Sequence, residues 1–274
     1  MLLVNFFSSE GMDLNPDAYL FKWPHALYLL FCLLLFLFLM RFLKSSHQKT
    51  HKIVITTSIV LLLFLKYAGE AIFIYEWVQF GDAISSYSHP FWDIRTFISF
   101  QVCGVNNVLL PIVIAFNIKP MKDFVYSSSV LGGLAVLIYP VGVLFGEPLV
   151  LTFPMLRTLI VHFLLVFLPL YMIKIDQFRL EPKRWYYTFI GCLLMIAWSM
   201  FGNLVIDKTA NNMFLMENPF LGGPIPFLNI LPNGIHAIFL IFLVFLGFVL
   251  VYVLAKRYNQ RHPLPTNEIK NQRV

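Results

Sequence analysis

Seven long apolar stretches constrain this chain more than any other feature of its sequence. They lie at about 24–43, 53–78, 95–116, 124–145, 155–174, 185–205 and 233–255. Each is close to the roughly 20 mainly apolar residues that a helix needs to cross the hydrocarbon core of a bilayer. Charged residues make up only 12% of the chain, about half the share of roughly 25% that is usual in soluble domains. The sequence therefore predicts an all-α polytopic membrane protein with seven transmembrane helices.

The charges between these stretches alternate along the chain. Basic residues dominate every second connection and the tail, at 41–52, 119–123, 174–184 and 256–274, while the other connections are slightly acidic. Because basic loops stay in the cytoplasm, the N-terminus is predicted outside and the C-terminus inside. This gives an extracellular segment at 1–23, a transmembrane domain at 24–255 and a basic cytoplasmic tail at 256–274. No basic stripe is interleaved with aromatic residues, so we expect no nucleic-acid partner.

The longest connection, at 206–232, is predicted to be an ordered outer loop. It combines turn-forming prolines, glycines and asparagines with large apolar residues such as Met213, Phe214 and Phe220. Proline and glycine fix turns, and the apolar residues need burial. Irregular backbone near a membrane persists when it is covered by protein or faces water. We therefore expect this loop to form the roof of a pocket.

A polar stripe interrupts the third apolar stretch. The segment "FISFQVCGVNNVLLP" at 97–111 places Gln101, Cys103, Asn106 and Asn107 where lipid would be the solvent. In a continuous helix, most of these polar residues share one face, which must look into the bundle. With the predicted topology, Glu70, Arg157 and His162 reach the same outer half of the membrane. Ionisable groups at such depth are often functional, so the sequence predicts a polar pocket there.

Each of these residues also has an ordinary structural interpretation. Asn106 and Asn107 are typical of interhelical hydrogen-bond donors and acceptors, and the i, i+4 spacing of Lys66 and Glu70 is typical of a pair that neutralises its own charge. A lone cysteine in a span is usually a small hydrophobic residue, which is our interpretation of Cys32 and Cys192. The cysteines show no C-x-x-C spacing, and no nucleotide, zinc or heme motif is present. No metal and no cofactor are therefore predicted.

Ordered short motifs over about 60–235 resemble the YwaF-type bacterial integral membrane family and its eukaryotic relative, a seven-span ether-phospholipid acyltransferase. The motifs are "KYAGEAIF", "FQVCGVNNVLLP", "LGGLAVLIYP", "VHFLLVFLPLYMI" and "NNMFLMENPFLGGP". By this resemblance Glu70, His162, Asn211 and Asn212 occupy family positions, and the cell membrane of a bacterium is the expected location. The eukaryotic acyltransferase has adjacent Cys-His where this chain has Phe100-Gln101, and bacterial members often place a Cys where this chain has Cys103.

The resemblance implies an acyltransferase or transacylase acting on phospholipid acyl chains. Cys103 is then the candidate nucleophile and His162 the candidate general base, with Glu70 orienting the imidazole. The candidate substrate- and oxyanion-binding residues are Gln101, Asn106, Asn107, Arg157, Asn211 and Asn212. A membrane phospholipid is the expected substrate or ligand. Two alternatives remain open: a non-catalytic transporter or ligand-binding membrane protein, and a scaffold or sensor. The acyl donor and the oligomeric state stay open as well.

Overall fold

The computed structural model describes residues 6–7, 20–80, 90–140, 152–223 and 225–263, and this part of the chain is helical without a β-strand. The predicted extracellular segment and the end of the basic tail lie largely outside these ranges. The α-helices are α1 Trp23–Leu43, α2 Gln48–Phe80, α3 Ile94–Phe97, α4 Val102–Ala115, α5 Lys119–Ile138, α6 Phe153–Lys174, α7 Trp185–Phe201 and α8 Ile235–Arg261. A π-helical turn, Gly202–Ile206, extends α7, and short 3-10 turns lie at Pro90–Trp92, Pro182–Arg184, Asn212–Phe214 and Leu228–Ile230.

Six helices in the described ranges are long and apolar enough to cross a membrane: α1, α2, α5, α6, α7 and α8. The third apolar stretch is the exception, because it is not one continuous helix. It consists of the four-residue α3, a break at 98–101, and α4 with 14 residues, about 21 Å at 1.5 Å per residue. This is less than the roughly 30 Å of a bilayer core. Seven continuous spans, as the sequence predicted, are therefore not confirmed.

The break before α4 has identifiable hydrogen-bond partners. Ile98 and Gln101 are extended, and the Ser99 hydroxyl accepts a hydrogen bond from the Gln101 amide at 3.2 Å. A serine that bonds its local backbone in this way competes with the helical pattern. The freed carbonyls of Ser99 and Phe100 accept hydrogen bonds from Trp198 Nε1 at 2.9 Å and from Ser199 Oγ at 2.5 Å. Side chains of helix α7 thus donate hydrogen bonds to the backbone carbonyls that have no helical partner in the break between α3 and α4.

Helix α5 lies at the centre of the bundle and packs against α4, α6 and α7. Small residues allow its closest approach, as is usual between membrane helices. A Cβ atom on Gly133 would lie 2.7 Å from Val166 Cγ2 and 2.9 Å from the carbonyl oxygen of His162, both on α6. Helices α1 and α8 lie at the periphery, with most of their apolar side chains exposed.

The two ends of the bundle differ in charge. We call "loop end" the end where α2, α5 and α7 finish and α4, α6 and α8 begin, and "tail end" the opposite one. Basic residues crowd the tail end, among them Arg41, Lys44, Lys119, Lys174 and Arg184. The loop end carries acidic and basic residues together. This segregation is the one that alternating loop charges predict, while the side of the membrane on which each end lies remains a prediction.

Asparagine side chains fix the loop that follows α7. Asn203 on the π-helical turn accepts hydrogen bonds from the Asn212 amide and side chain at 2.8 and 2.7 Å. Asn211 Oδ1 accepts from the backbone of Met216 and Glu217. Asn218 donates to the carbonyls of Leu228 and Leu231, both at 2.7 Å. The described part of the loop therefore has a defined path across the loop end.

Candidate functional site

A cavity of about 440 Å³ opens at the loop end, where the break before α4 faces α2, α6 and the loop after α7. Seven of the nine predicted site residues line it: Glu70, Gln101, Cys103, Asn107, Arg157, His162 and Asn212. The other two, Asn106 and Asn211, do not. Residues distant in sequence thus meet around one space, while their depth in the membrane stays a prediction.

Cys103 is the second residue of α4 and lies in the wall of this cavity. The first amides of a helix have no intrahelical acceptor, and the first helical bond here runs from the Val105 amide to the Gln101 carbonyl. Gln101, Cys103 and Gly104 therefore present the positive end of a helix dipole to the cavity. Opposite them, a Cβ on Gly132 of α5 would lie 3.0 Å from Cys103 Sγ. Cys32 and Cys192 pack in the hydrophobic core instead.

His162 faces the same cavity from α6. Its Nδ1 lies 2.7 Å from the carbonyl oxygen of Thr158, and because a carbonyl can only accept, Nδ1 carries the proton of a neutral ring. Nε2 is then the unprotonated nitrogen and can accept a proton. The Thr158 carbonyl, and not the Glu70 carboxylate, orients the imidazole. No hydrogen bond joins His162 to Cys103 within the described part of the chain.

Charged side chains line the cavity, and two basic residues share one carboxylate there. Glu70 pairs with Lys66 at 2.5 Å and, more loosely, with Arg157 at 3.6 Å. Arg157 lies over Gly69, where a Cβ atom would obstruct its guanidinium group. Glu70 is therefore engaged in ion pairs, which is the ordinary interpretation of its spacing from Lys66. Gly69 gives Arg157 the room to reach across α2.

Arg95 connects the segment before α4 to the loop. It pairs with Asp93 at 2.5 Å and with Asp207. The hydrogen bond from Arg95 lowers the pKa of Asp93 below its ordinary value. Hydrogen bonds from Thr209, and then the charge of Arg95, lower the pKa of Asp207. Both carboxyl groups are therefore ionised at neutral pH and hold the loop against the cavity.

The four candidate asparagines divide into those that hold the fold and those that line the cavity. Asn106 Nδ2 donates to Ser128 Oγ of α5 at 2.8 Å, a bond between helices. Asn211 and Asn212 hold the loop, although Asn212 also lines the cavity. Asn107 is buried at the cavity wall, and its Oδ1 has no hydrogen-bond partner among the described residues. Asn106 Oδ1 also lacks a partner among the described residues, so Asn107 is distinguished from Asn106 by its place in the cavity wall.

Some lining residues were not expected from the sequence. Arg95, Gly104 and Asp207 all border the cavity. Ser99 and Gly104 weaken a helix, and their proximity within an apolar stretch was the available signal for a break. The described ranges hold no cluster of three or more histidine, cysteine, aspartate or glutamate side chains suited to a metal ion.

A family model covers nearly the whole helical region of the chain. It is described as the TMEM164 family and matches residues 20–261, from just before α1 to the end of α8. Neither a curated protein nor a solved structure matches the chain. The six apolar helices and the extent of this match both indicate a multi-pass membrane protein. The chain belongs to the TMEM164 family.

Proposed function

We propose that this protein is a membrane-embedded acyltransferase that moves acyl chains between phospholipids by way of Cys103. The observation that carries the proposal is that Cys103 and His162 border one cavity, with Cys103 at the N-terminal end of a helix. A helix N-terminus favours the thiolate form of a cysteine, which is the nucleophilic form. The sequence resemblance to a lipid acyltransferase points to the same chemistry.

The proposed reaction has two steps. His162 Nε2 takes the proton of the Cys103 thiol, the sulfur attacks the ester carbonyl of a donor lipid, the ester C–O bond breaks, and His162 gives this proton to the departing lipid alkoxide. The hydroxyl of an acceptor lysolipid then attacks the thioester, His162 Nε2 takes the hydroxyl proton, the C–S bond breaks, and the proton returns to the Cys103 sulfur. Such covalent catalysis divides one difficult transfer into two easier ones. Because the carbonyl of Thr158 fixes the proton on Nδ1, Nε2 is the nitrogen that exchanges protons.

The developing oxyanion needs hydrogen-bond donors near Cys103. The amides of Cys103 and Gly104, at the start of α4, lack intrahelical acceptors, and the Gln101 side chain borders the same space. Asn106, included among the candidates on sequence grounds, donates instead to Ser128. We therefore assign this role to the α4 amides together with Gln101. Asn107, Arg157 and Asn212 are left to bind the lipid.

Reaction with a lipid-like acylating probe tests the proposal. Purified full-length protein is treated with a short-chain thiol-reactive lipid ester, and the acyl group on each cysteine is located by mass spectrometry before and after neutral hydroxylamine. We expect a hydroxylamine-labile acyl group on Cys103 and none on Cys32 or Cys192. His162→Ala should slow acylation about 100-fold, within the usual 10²–10⁴ contribution of a general base.

Cys192→Ser is the matched control, because it replaces a buried thiol outside the cavity. It should leave acylation and acyl transfer unchanged, while Cys103→Ala should remove both. Equal labelling of the three cysteines, or transfer that survives Cys103→Ala, would exclude Cys103 as the nucleophile.

A second candidate is a ligand-binding or transport protein that uses the same cavity. Two observations favour it: no hydrogen bond joins Cys103 to His162 in the described ranges, and Arg157 in the cavity wall contacts Glu70 only at 3.6 Å, which leaves its guanidinium group able to bind an anionic ligand. Phospholipid binding that persists in Cys103→Ala, without acylation of the wild type, is the result that this alternative requires.

We also propose that the loop end faces outward and the tail end faces the cytoplasm of the cell, in the plasma membrane. The basic residues of the tail end support this orientation. In a variant without native cysteines, a cysteine at exposed Lys208 should react with a membrane-impermeant maleimide on intact cells. A cysteine at exposed Gln260 should react only after the membrane is permeabilised. The reverse pattern would invert the topology.

A further inference from the structure

A second cavity lies at the tail half of the bundle, remote from Cys103. It is a groove of about 410 Å³ between α7 and α8. Its walls include Trp185, Phe189, Phe245, Val249, Val253 and Lys256. We call it the α7–α8 groove.

The walls of the α7–α8 groove are almost wholly apolar. The rings of Phe189 and Phe245 meet at 5.6 Å at its deep end. The hydroxyls of Thr188 and Tyr252 lie 2.7 Å apart and bond each other, so neither requires a polar ligand. From Phe245 to Lys256 the groove follows eleven residue steps of α8, about 16 Å along the helix. Its shape and lining match a hydrocarbon chain lying parallel to the helix.

Two lysines lie at or beside the tail end of the groove. Lys256 lines it, and Lys183 follows Pro182, another lining residue. Both lysines are exposed, and neither forms an ion pair with any residue in the described ranges. A basic group near the cytoplasmic or tail-end surface of a membrane attracts anionic lipid headgroups. The charge at one end and the hydrocarbon surface beyond it correspond to the two parts of an anionic phospholipid.

We infer that the α7–α8 groove is a binding site for one anionic phospholipid of the tail-end leaflet. One acyl chain lies along Val249 and Val253, and the headgroup phosphate contacts Lys256 and Lys183. A second copy of the chain fits less well, because a two-fold contact through this groove brings the same lysines together and like charges repel. The inference does not depend on any reaction at Cys103.

Native mass spectrometry of the full-length protein tests this site. The protein is released from membranes that contain equal amounts of phosphatidylglycerol and phosphatidylcholine with identical acyl chains. We expect one retained phosphatidylglycerol. The preference over phosphatidylcholine should fall about fivefold in Lys256→Gln and again in Lys183→Gln, because a basic residue near a lipid surface is worth about 1 kcal/mol.

Val249→Trp and Leu250→Trp form a matched pair for the groove itself. Both side chains are exposed on α8, at 59% and 57%, but Val249 lines the groove and Leu250 does not. The tryptophan at 249 should fill the groove and abolish lipid retention, while the tryptophan at 250 should leave it unchanged.

Three results would overturn the inference. The first is equal retention of lipid in the two tryptophan variants, and the second is equal retention of the two headgroups by the wild type. The third is a dimer in the wild type that Val249→Trp converts to a monomer, since this would identify a second copy as the occupant. Lysine-to-glutamine changes at exposed positions do not endanger folding, so their result stands even if Val249→Trp proves unstable.

Discussion

The two ends of the bundle both hold buried charges, but they use them differently. At the tail end, Asp123 of α5 is 0% exposed. It accepts hydrogen bonds from Arg184 at 2.7 and 3.1 Å, and Arg184 also donates to the Arg179 carbonyl at 2.8 Å. At the loop end, Arg157 reaches Glu70 only at 3.6 Å and borders an open cavity.

The difference separates charges that hold the fold from charges available to a ligand. A buried carboxylate whose hydrogen bonds are made within the protein has no free hydrogen-bond capacity for a ligand. A charged group beside a cavity, with a long contact and free hydrogen-bond capacity, can change partners. The same types of residue therefore have structural roles at the tail end and candidate binding roles at the loop end.

The largest effect is expected from breaking the tail-end pair. Asp123→Ala leaves Arg184 with only its looser carboxylate contact to Glu181 at 3.8 Å, and loss of one member of a buried pair costs about 3–5 kcal/mol. Arg184 is partly exposed, so we expect about 3 kcal/mol, near the lower limit. Thermal unfolding in detergent would measure this as a clearly lowered midpoint.

Asp176→Asn is the control for this variant. Asp176 pairs with Arg179, but its side chain is half exposed, and exposed pairs contribute less than about 1 kcal/mol. Asp176 has a positive φ of 58°, which asparagine tolerates and alanine does not, so the unfolding midpoint of Asp176→Asn should stay within about a degree or two of the wild type. A similar loss in both variants would mean that burial of Asp123 does not distinguish the two pairs.

Packing between α5 and α6 connects the rigid core with the cavity, and Gly133 lies at that contact. Gly133→Ala places a methyl group 2.9 Å from the backbone oxygen of His162, which cannot turn away as a flexible side chain can. Overpacking of this kind typically costs about 1–3 kcal/mol. We expect a lower unfolding midpoint and, because His162 is displaced, slower acylation of Cys103.

Gly247→Ala provides the comparison. Its new methyl group would meet only the Leu131 side chain, at 3.3 Å, and that side chain can move. Stability should be unchanged or slightly higher, since alanine favours a helix over glycine. Equal destabilisation by the two alanine variants would show that close packing of α5 against α6 does not make Gly133 more sensitive to substitution than Gly247.

The sequence predicted the apolar helices and the gathering of polar residues more accurately than the details of the site. Length and hydropathy are properties of one segment, so α1, α2, α5, α6, α7 and α8 can be recognised locally. The break at 98–101 depends on partners in α7, Trp198 and Ser199, almost a hundred residues later. No local pattern reveals such a partner.

The roles of single side chains were harder to assign than their location. Glu70 and His162 border the same cavity, as their depths implied, yet Glu70 bonds Lys66 and His162 bonds its own helix. Asn106 and Asn107 are adjacent in sequence, but one bonds Ser128 and the other faces the cavity. A rotation of a helix about its axis by a few tens of degrees changes which neighbour a side chain meets. The periodicity of apolar residues does not define the orientation of a helix that closely.

The smallest effect concerns the carboxylates that tie the loop to the segment before α4. The Arg95 hydrogen bond lowers the pKa of Asp93, and the Thr209 hydrogen bonds and the Arg95 charge lower that of Asp207. A lowered folded-state pKa gives stability that is fully present above the ordinary value of about 3.9 and is lost as the pH falls through the lowered value. Loop protection should therefore be constant from about pH 7 to pH 5 and decline below about pH 4.

Hydrogen exchange of segment 207–218 at a series of pH values, corrected for the intrinsic rate, measures this loop protection directly. Asp207→Asn removes the charge at every pH, so it should lower protection at pH 7 by at most about 1 kcal/mol. The gap between this variant and the wild type should begin to close as the pH falls below about 4, where Asp207 of the unfolded chain becomes protonated. It should vanish once the pH lies below the lowered pKa of folded Asp207, because the side chain is then protonated in both states. A gap that persists at low pH would show that the Arg95–Asp207 charge pair does not hold the loop, and that Asn211, Asn212 and Asn218 are sufficient. The stability of the loop would then not depend on the titration of Asp207.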